Sequence, residues 1–420
     1  MIIDLEKFTK PISTVLTAVL IACFNIFDVI PGGKVIYLGL SVIVFLVKTQ
    51  GHFDLEVEPY YIFNILMVVF SAASVIWAME PYYAKDISER MLITFLCFVF
   101  VYLAYKPEKD TTSLMRSFKW GGYIIMLYQI KYYGMSGILA MLTSAERMNN
   151  DIGNVNMFGM AMAYGCVIEL LEMAEKKKLT FSCPLMIPSL LVISATQSRK
   201  AMLIIAFGIL MIYLFYFFRL KNIVKSMVIT GIFIFICYFL YLFMVNSPIF
   251  SGIIKRMEFL INAVTGEGDV GSSAESRQQM IDIGWEQFLK TPILGAGMDN
   301  GKVVAYIASR GKFDGYLHNN FIELLCDGGI VGFLIYYSRF VYFGYMLVYY
   351  MHSKSKDYYP CLILSVIILL MDYGHVTYYI KSDQIYFVLL FLQVCNLTKN
   401  TTAPINDIEL TDIRRYRYIR

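Results

Sequence analysis

The chain has 420 residues, of which 58% are hydrophobic and only 16% are charged, and its mean hydropathy is +0.59. This composition is too apolar for a soluble globular domain and indicates a membrane protein. The formal net charge of +4 says nothing about nucleic acid, and no nucleic-acid partner is expected. Most of the eight cysteines lie in apolar runs and none forms a CxxC pair, so a disulfide framework or a zinc site is not expected.

Apolar runs of about 20 residues, the length needed to cross roughly 30 Å of hydrocarbon, recur along the chain. They predict an all-α polytopic membrane protein with about twelve transmembrane helices. No cleavable signal peptide is expected before the first of them. The predicted spans lie near residues 12–30, 35–48, 60–79, 91–105, 119–141, 154–173, 183–197, 200–218, 227–245, 328–350, 359–373 and 383–396.

Lysine and arginine are unevenly divided between the two sides of these spans. If the N-terminus is inside, the lysines at 176–178, the basic residues at 219–225 and the tail RRYRYIR all fall in the cytoplasm. The opposite side has fewer basic residues although it holds the longest loop. This positive-inside pattern predicts that both termini are cytoplasmic.

One long extracytoplasmic loop interrupts the series. The predicted organisation is a bundle of about nine helices at 1–245, the loop at 246–327, C-terminal transmembrane helices at 328–396 and a basic cytoplasmic tail at 397–420. The Gly- and Ser-rich centre of the loop, VTGEGDVGSSAES, is expected to be flexible. The stretch ESRQQMIDIGWEQFLK predicts an amphipathic helix, and LHNNFIELL predicts a helix that continues into the next span.

Three arginines lie on separate outer segments. Arg199 occurs in a short turn with Ser198 and Lys200, Arg277 begins the amphipathic helix, and Arg147 opens the outer loop RMNNDIGNVNMFGM. Each could be a solvated or snorkelling side chain. Together they favour a shared anion pocket, because guanidinium groups bind phosphate oxygens through paired hydrogen bonds.

Only two of the four histidines, His318 and His375, fall on the outer side in this topology. A neutral imidazole near pH 7 can take a proton from a sugar hydroxyl, which makes His318 a candidate general base. The alternative for His318 is a cap that hydrogen-bonds neighbouring backbone. His375 follows Asp372 by three residues, about one turn if both lie on a helix, and is the weaker candidate.

Two charged residues lie inside predicted spans, and two motifs that would indicate other classes of protein are missing from the sequence. Arg339 lies within a span, where charge usually faces a cavity or a partner. Lys131 could do the same or could mark a break in a poorly hydrophobic helix bounded by glycines. There is no P-loop to indicate an ATP-driven pump and no DxD pair in a structured outer loop to support a metal-dependent glycosyltransferase.

Four short motifs give the chain a resemblance to a known family. They are the outer-turn SR at Ser198–Arg199, the Arg147 and Asn156 pair before a span, the run SRQQMIDIGWEQFLKTPILGAG, and HNNFIELLCDGGIVG with its H-N pair and later G-x-x-G. In this order and spacing they resemble the O-antigen ligase and O-antigen or capsular polysaccharide polymerase (Wzy-like) superfamily. The layout of about a dozen spans with one long outer loop matches as well.

The resemblance implies a GT-C-like membrane glycosyltransferase that needs no metal and no cofactor. Such enzymes transfer an oligosaccharide from undecaprenyl pyrophosphate to an acceptor hydroxyl at the outer face of the bacterial cytoplasmic membrane. By resemblance, His318 would be the catalytic base, and the pyrophosphate or glycan would be bound by Arg199, Arg277, Arg147, Asn319, Ser198 and Asn156. Flippase and chain-length regulator proteins are the implied protein partners.

The same residues serve polymerases and ligases, so the acceptor decides between them. A polymerase that extends a lipid-linked capsule, O-antigen or exopolysaccharide repeat unit is the preferred interpretation. Transfer of finished glycan to a terminal acceptor is the first alternative, and a flippase for lipid-linked oligosaccharide is the second.

Overall fold

A computed structural model of the protein describes residues 6–26, 33–53, 56–144, 146–149, 153–217, 223–265, 272–352 and 355–399. Within these ranges all regular structure is helical. Residues 266–271, the centre of the Gly- and Ser-rich segment, and most of the predicted basic tail lie outside them.

Fifteen α-helices occur in the described part of the chain, and every predicted span falls on one of them. Six are long and apolar enough to cross a membrane, namely α1, α4, α6, α8, α9 and α13, while α3, α7 and α14 are shorter apolar helices. The chain is therefore a multi-pass membrane protein, and the number twelve stays a prediction. The helices are α1 Glu6–Ile26, α2 Gly33–Thr49, α3 Pro59–Ser74, α4 Pro81–Tyr105, α5 Thr111–Thr143, α6 Val155–Lys176, α7 Met186–Thr196, α8 Arg199–Ile212, α9 Ile223–Asn246, α10 Ser251–Thr265, α11 Ser272–Lys290, α12 Gly301–Ala308, α13 Asn320–Tyr349, α14 Tyr358–Met371 and α15 Lys381–Lys399.

Hydrogen bonds connect helix ends in two layers, one at each end of α14. In one layer Asp357, before α14, accepts hydrogen bonds from Thr111 at the start of α5 and from Asn396 near the end of α15, both at 2.7 Å. In the other layer Asp372, after α14, accepts a hydrogen bond from Tyr337 and its backbone carbonyl accepts one from Asn320 at the start of α13. The apolar core lies between these layers, and the second layer holds the candidate site.

Helix α13 is broken at Gly329, and the loop that follows α11 completes it. Gly329 has φ +58° and ψ −161°, so the backbone leaves the helical conformation there. Next to the break the amides of Ala296 and Gly297 donate to the carbonyls of Cys326 and Asp327, at 2.8 and 2.9 Å. In return the amides of residues 330 and 331 donate to the carbonyls of residues 292 and 293. Hydrogen bonds that a straight helix would make within itself are made to the loop instead.

This exchange brings two backbones together so closely that glycine is required on both sides. A Cβ at Gly295 would lie 2.4 Å from the carbonyl of Asp327, and one at Gly329 would lie 2.4 Å from the carbonyl of Ile293. Both glycines also have positive φ, which L-residues rarely adopt. The P-x-x-G-x-G and G-G segments of the sequence are thus the two halves of one structural joint.

The long loop contains more helix than the sequence indicated. The predicted amphipathic helix is confirmed as α11, whose Met280 and Ile283 pack on the apolar cluster that includes Leu317. Helix α10 within the loop was not predicted. At Gly284 helix α11 approaches so closely that a Cβ would meet Leu317 and Ile322 at 2.5 and 2.6 Å, which fixes α11 against the start of α13.

Both charges inside predicted spans have a structural explanation. Arg339 is 1% exposed, donates to Gln384 at 3.1 Å, and lies over the rings of Tyr336 and Phe387. It lines a cavity within the bundle, as expected for an intramembrane arginine. Lys131 is exposed, three residues before the non-helical Gly134 that breaks α5.

Candidate functional site

The turn between α7 and α8 carries Ser198 and Arg199, and residues from other segments hold it in place. The Ser198 hydroxyl is buried and caps α8 by accepting from the amide of Ala201 at 3.4 Å. Arg147 donates through Nε to the carbonyl of Thr196 at 3.0 Å and through Nη2 to Oδ1 of Asn156 at 2.7 Å. Arg147 and Asn156 therefore position the turn from which Arg199 extends.

His318 occupies a backbone position that few side chains adopt. Its φ is +60°, in the left-handed region that costs a non-glycine residue about 1–2 kcal/mol. Two buried neighbours hold it there: the amide of Leu317 donates to Glu323 at 2.5 Å, and Asn319 caps α13 by accepting from the amides at 321 and 322. Strain of this kind is frequent at functional sites. Asn319 thus fixes the start of α13 directly after His318.

Of the three predicted arginines, Arg277 acts electrostatically on His318, and Lys200, which follows Arg199, acts on it as well. Burial lowers the pKa of the His318 imidazole to about 3, and the charges of Arg277, Lys200 and His375 lower it further in the same direction. Lys200 is adjacent to Arg199 and lies within electrostatic range of Arg277. Burial also lowers the pKa of Arg277. The imidazole is therefore neutral at physiological pH and lies beside a cluster of positive charge.

The ring of His318 has an uncommitted nitrogen. It packs edge-on against Tyr316, with ring centroids 4.3 Å apart. Its Nδ1 is buried without a hydrogen-bond partner among the described residues. Burial raises the pKa of Tyr316, which stays protonated. A neutral histidine in this setting can accept a proton from a bound hydroxyl group.

Residues 184–337 match the family model Wzy_C, described as O-antigen ligase. This match supports the resemblance of the chain to the O-antigen ligase and Wzy-like superfamily. The matched range begins just before α7 and ends within α13, so it contains Ser198, Arg199, Arg277, His318 and Asn319, whereas Arg147 and Asn156 precede it. No curated protein matches the chain.

The Wzy_C range ends before a second histidine that the structure adds to the cluster. His375 Nε2 lies 2.9 Å from Oδ2 of Asp383, and both side chains are buried. The interpretation that Asp372 lies one turn before His375 on a helix is wrong, because α14 ends at Met371. Asp372 instead accepts from Tyr337 and Thr377.

Buried acids within the Wzy_C domain were also missed. Asp327 accepts hydrogen bonds from the amides of Asp299 and Gly301 and from the Tyr378 hydroxyl, at 3.0, 2.5 and 3.0 Å. Glu323 accepts from the amide of Leu317. The two acids therefore bond α13 to the segments that hold residues 299–301, 317 and 378. The sequence analysis placed both acids in the long loop, just before the predicted span at 328–350, so their burial was not expected.

The candidate site therefore combines a positive cluster, a neutral histidine and loops that hydrogen bonds hold against α13. Among the described residues no group of three or more His, Cys, Asp or Glu side chains is arranged to hold a metal ion. Lys200, Arg277 and Arg199 can bind an anion with two or more negative charges, and His318 can take a proton beside it.

Proposed function

We propose that the protein is a polysaccharide polymerase, a glycosyltransferase that adds undecaprenyl-pyrophosphate-linked glycan to the sugar hydroxyl of a lipid-linked repeat unit. The observation that supports this proposal is that Lys200, which follows Arg199, and Arg277 both act electrostatically on the neutral His318. A pyrophosphate diester carries negative charge that this cluster would neutralise. The superfamily contains both ligases and polymerases that handle such donors.

Glycosyl transfer from a pyrophosphate donor would require a positive cluster at the leaving group and a base at the acceptor. Pyrophosphate is a good leaving group, and the arginines would stabilise the charge that develops on it as the bond to the anomeric carbon breaks. His318 would take the proton of the acceptor hydroxyl while its oxygen attacks the opposite face of the sugar. Such a displacement inverts the configuration at the anomeric carbon and uses no metal.

The membrane would supply the remaining parts of the site. The site would face the outside of the cytoplasmic membrane, and the apolar helices would border the polyprenyl chain. The long loop, through α11 and α12, would lie over the sugars. Flippase and chain-length regulator proteins would deliver the donor and set the length of the product.

One alternative has direct support, because the matching family model is described as O-antigen ligase. In that case the same cluster would hold the donor, but the acceptor would be a terminal one rather than a growing lipid-linked glycan. A flippase, the remaining alternative, would need no general base and would use the positive cluster only to bind its cargo.

A gene deletion separates the three functions. For a polymerase, the deletion strain accumulates single repeat units outside the membrane that can still be ligated, and the glycan ladder on a gel collapses to one unit. For a ligase, long polymer persists on undecaprenyl pyrophosphate. For a flippase, repeat units stay on the cytoplasmic face. A full ladder in the deletion strain would exclude the polymerase.

A further inference from the structure

A carboxylate–imidazole pair lies beside the proposed catalytic histidine and has no role in the function described so far. His375 is 2% exposed and Asp383 is 6% exposed, and they meet through Nε2 and Oδ2 at 2.9 Å. The carboxylate therefore selects the His375 tautomer in which Nε2 carries the proton. Its other ring nitrogen, Nδ1, is buried and has no partner among the described residues.

His375 is close to the site. A Cβ built on the preceding residue, Gly374, would lie 3.7 Å from Cε of Lys200. The charged groups that act on His375 are Lys200, Asp383 and Arg277, and those that act on His318 are Arg277, Lys200 and His375. Asp383 is thus an acid that acts on both Lys200 and His375.

The surroundings of His318 create a difficulty for a general base. A proton taken from the acceptor would leave an imidazolium beside Arg277 and Lys200, and no acidic side chain within the described residues is hydrogen-bonded to His318. Like charges at short range disfavour that state. Buried polar atoms are normally hydrogen-bonded, yet Nδ1 of both histidines lacks a partner. Ordered water is the usual partner of such buried atoms.

We propose that His375 and Asp383 form a proton relay that receives the proton from His318. The inference rests on the proposed function, because it concerns the fate of the acceptor proton. The acceptor O–H bond breaks, its electron pair forms the new bond to the anomeric carbon, and pyrophosphate leaves with the electrons of the old bond. The proton enters Nε2 of His318. Nδ1 of His318 passes a proton through water to Nδ1 of His375, whose Nε2 proton moves to Asp383. His375 and Asp383 are positioning and relay residues that do not touch the sugar.

The experiment measures kcat and KM for transfer by purified full-length protein in liposomes that contain lipid-linked glycan. Asp383→Asn keeps the shape and an acceptor oxygen but takes up no proton. His375→Gln keeps a donor near the position of Nε2 but passes on no proton. Asp383→Glu retains the carboxylate. Ser382→Ala, at the neighbouring buried position whose hydroxyl has no partner among the described residues, is the matched control.

The expected result is a fall in kcat of about 10²-fold for Asp383→Asn and His375→Gln, with KM changed less than about threefold. Asp383→Glu is expected to recover part of the rate, and Ser382→Ala to stay near wild type. A rise in KM together with a fall in protein yield would show a structural role and overturn the relay. Wild-type rates in Asp383→Asn would overturn it while leaving the proposed function intact. A wild-type protein that transfers no glycan would overturn both.

A second measurement does not depend on activity. The chain has only four histidines, so ¹⁵N-histidine NMR of the full-length protein in detergent can be assigned by single substitutions. The relay requires the His375 tautomer with the proton on Nε2. A resonance pattern that places the proton on Nδ1 would overturn the proposal.

Discussion

Replacing His318 with asparagine separates the chemistry of the imidazole from the conformation of its backbone. The φ of +60° at this position is tolerated by asparagine, which enters the left-handed region more readily than other non-glycine residues. Alanine at the same position would retain the cost of about 1–2 kcal/mol that the left-handed conformation imposes. His318→Asn is therefore expected to preserve the thermal stability of the protein and to remove only the base.

The size of the effect follows from the surroundings of the ring. With its pKa lowered to about 3, His318 is entirely in the basic form at pH 7, so its whole contribution is lost on substitution. General-base catalysis contributes about 10²–10⁴-fold. A base with so low a pKa takes up a proton weakly, but a bound pyrophosphate would offset the charges of Arg277 and Lys200 and raise its pKa. We expect a fall in rate of about 10²–10³-fold, or roughly 3–4 kcal/mol in activation free energy.

The assay is formation of glycan polymer from purified lipid-linked repeat units in liposomes, with the melting temperature measured in parallel. His352→Asn, in an exposed turn after α13 at the opposite end of that helix, is the matched control and should change neither quantity. Full-length polymer at a rate within about threefold of wild type would refute the role of His318 as base. Loss of activity together with a large loss of melting temperature would assign His318 a structural role.

Three further predictions test other parts of the site. Arg199→Lys keeps the charge but loses the paired hydrogen bonds of the guanidinium group, so we expect transfer to fall roughly tenfold or more, and near-normal transfer would indicate simple snorkelling. Gly329→Ala should lower stability by about 2–5 kcal/mol, through positive φ and the backbone contact, whereas Gly344→Ala in the same helix, where nothing lies within 4 Å, should leave the melting temperature unchanged or raise it. Arg277→Gln removes a positive charge that disfavours protonation of His318, so an NMR titration should show the pKa of His318 rising from about 3 toward its ordinary value, and an unchanged pKa would contradict the proximity of the two groups.

The sequence predicts the helical segments well because apolar length is a strong and local signal. Each predicted span falls on a helix, and the periodicity around Met280 correctly gives α11. What the sequence did not predict depends on contacts between distant segments. The break in α13 at Gly329 requires the loop at 292–297 to supply hydrogen bonds, and nothing in the helical pattern around Gly329 specifies that partner.

In the candidate site, too, the sequence indicates which residues take part but not the contacts between distant segments. The topology predicted from the sequence puts Arg199, Arg277 and His318 on one side of the membrane. The structure places Arg277 within electrostatic range of His318. The sequence could not tell that Arg147 is committed to the turn before α8, since its two acceptors lie on other segments. Nor could it pair His375 with Asp383, because the intervening loop reverses direction between α14 and α15.

The joint between the 292–297 loop and the broken helix α13 also bears on how the protein is made. The loop precedes α13 in the chain, so during synthesis the acceptors and donors that the break requires are produced before the helix that needs them. The break in α13 frees two carbonyls and two amides that bond to the loop. In a membrane these four groups need hydrogen-bond partners, so the loop must be beside them when α13 inserts. Placement of the loop and insertion of α13 are therefore expected to be coupled steps. A chimaera that exchanges the loop between relatives must carry both halves of the joint, from Pro292 to Gly332, to insert correctly.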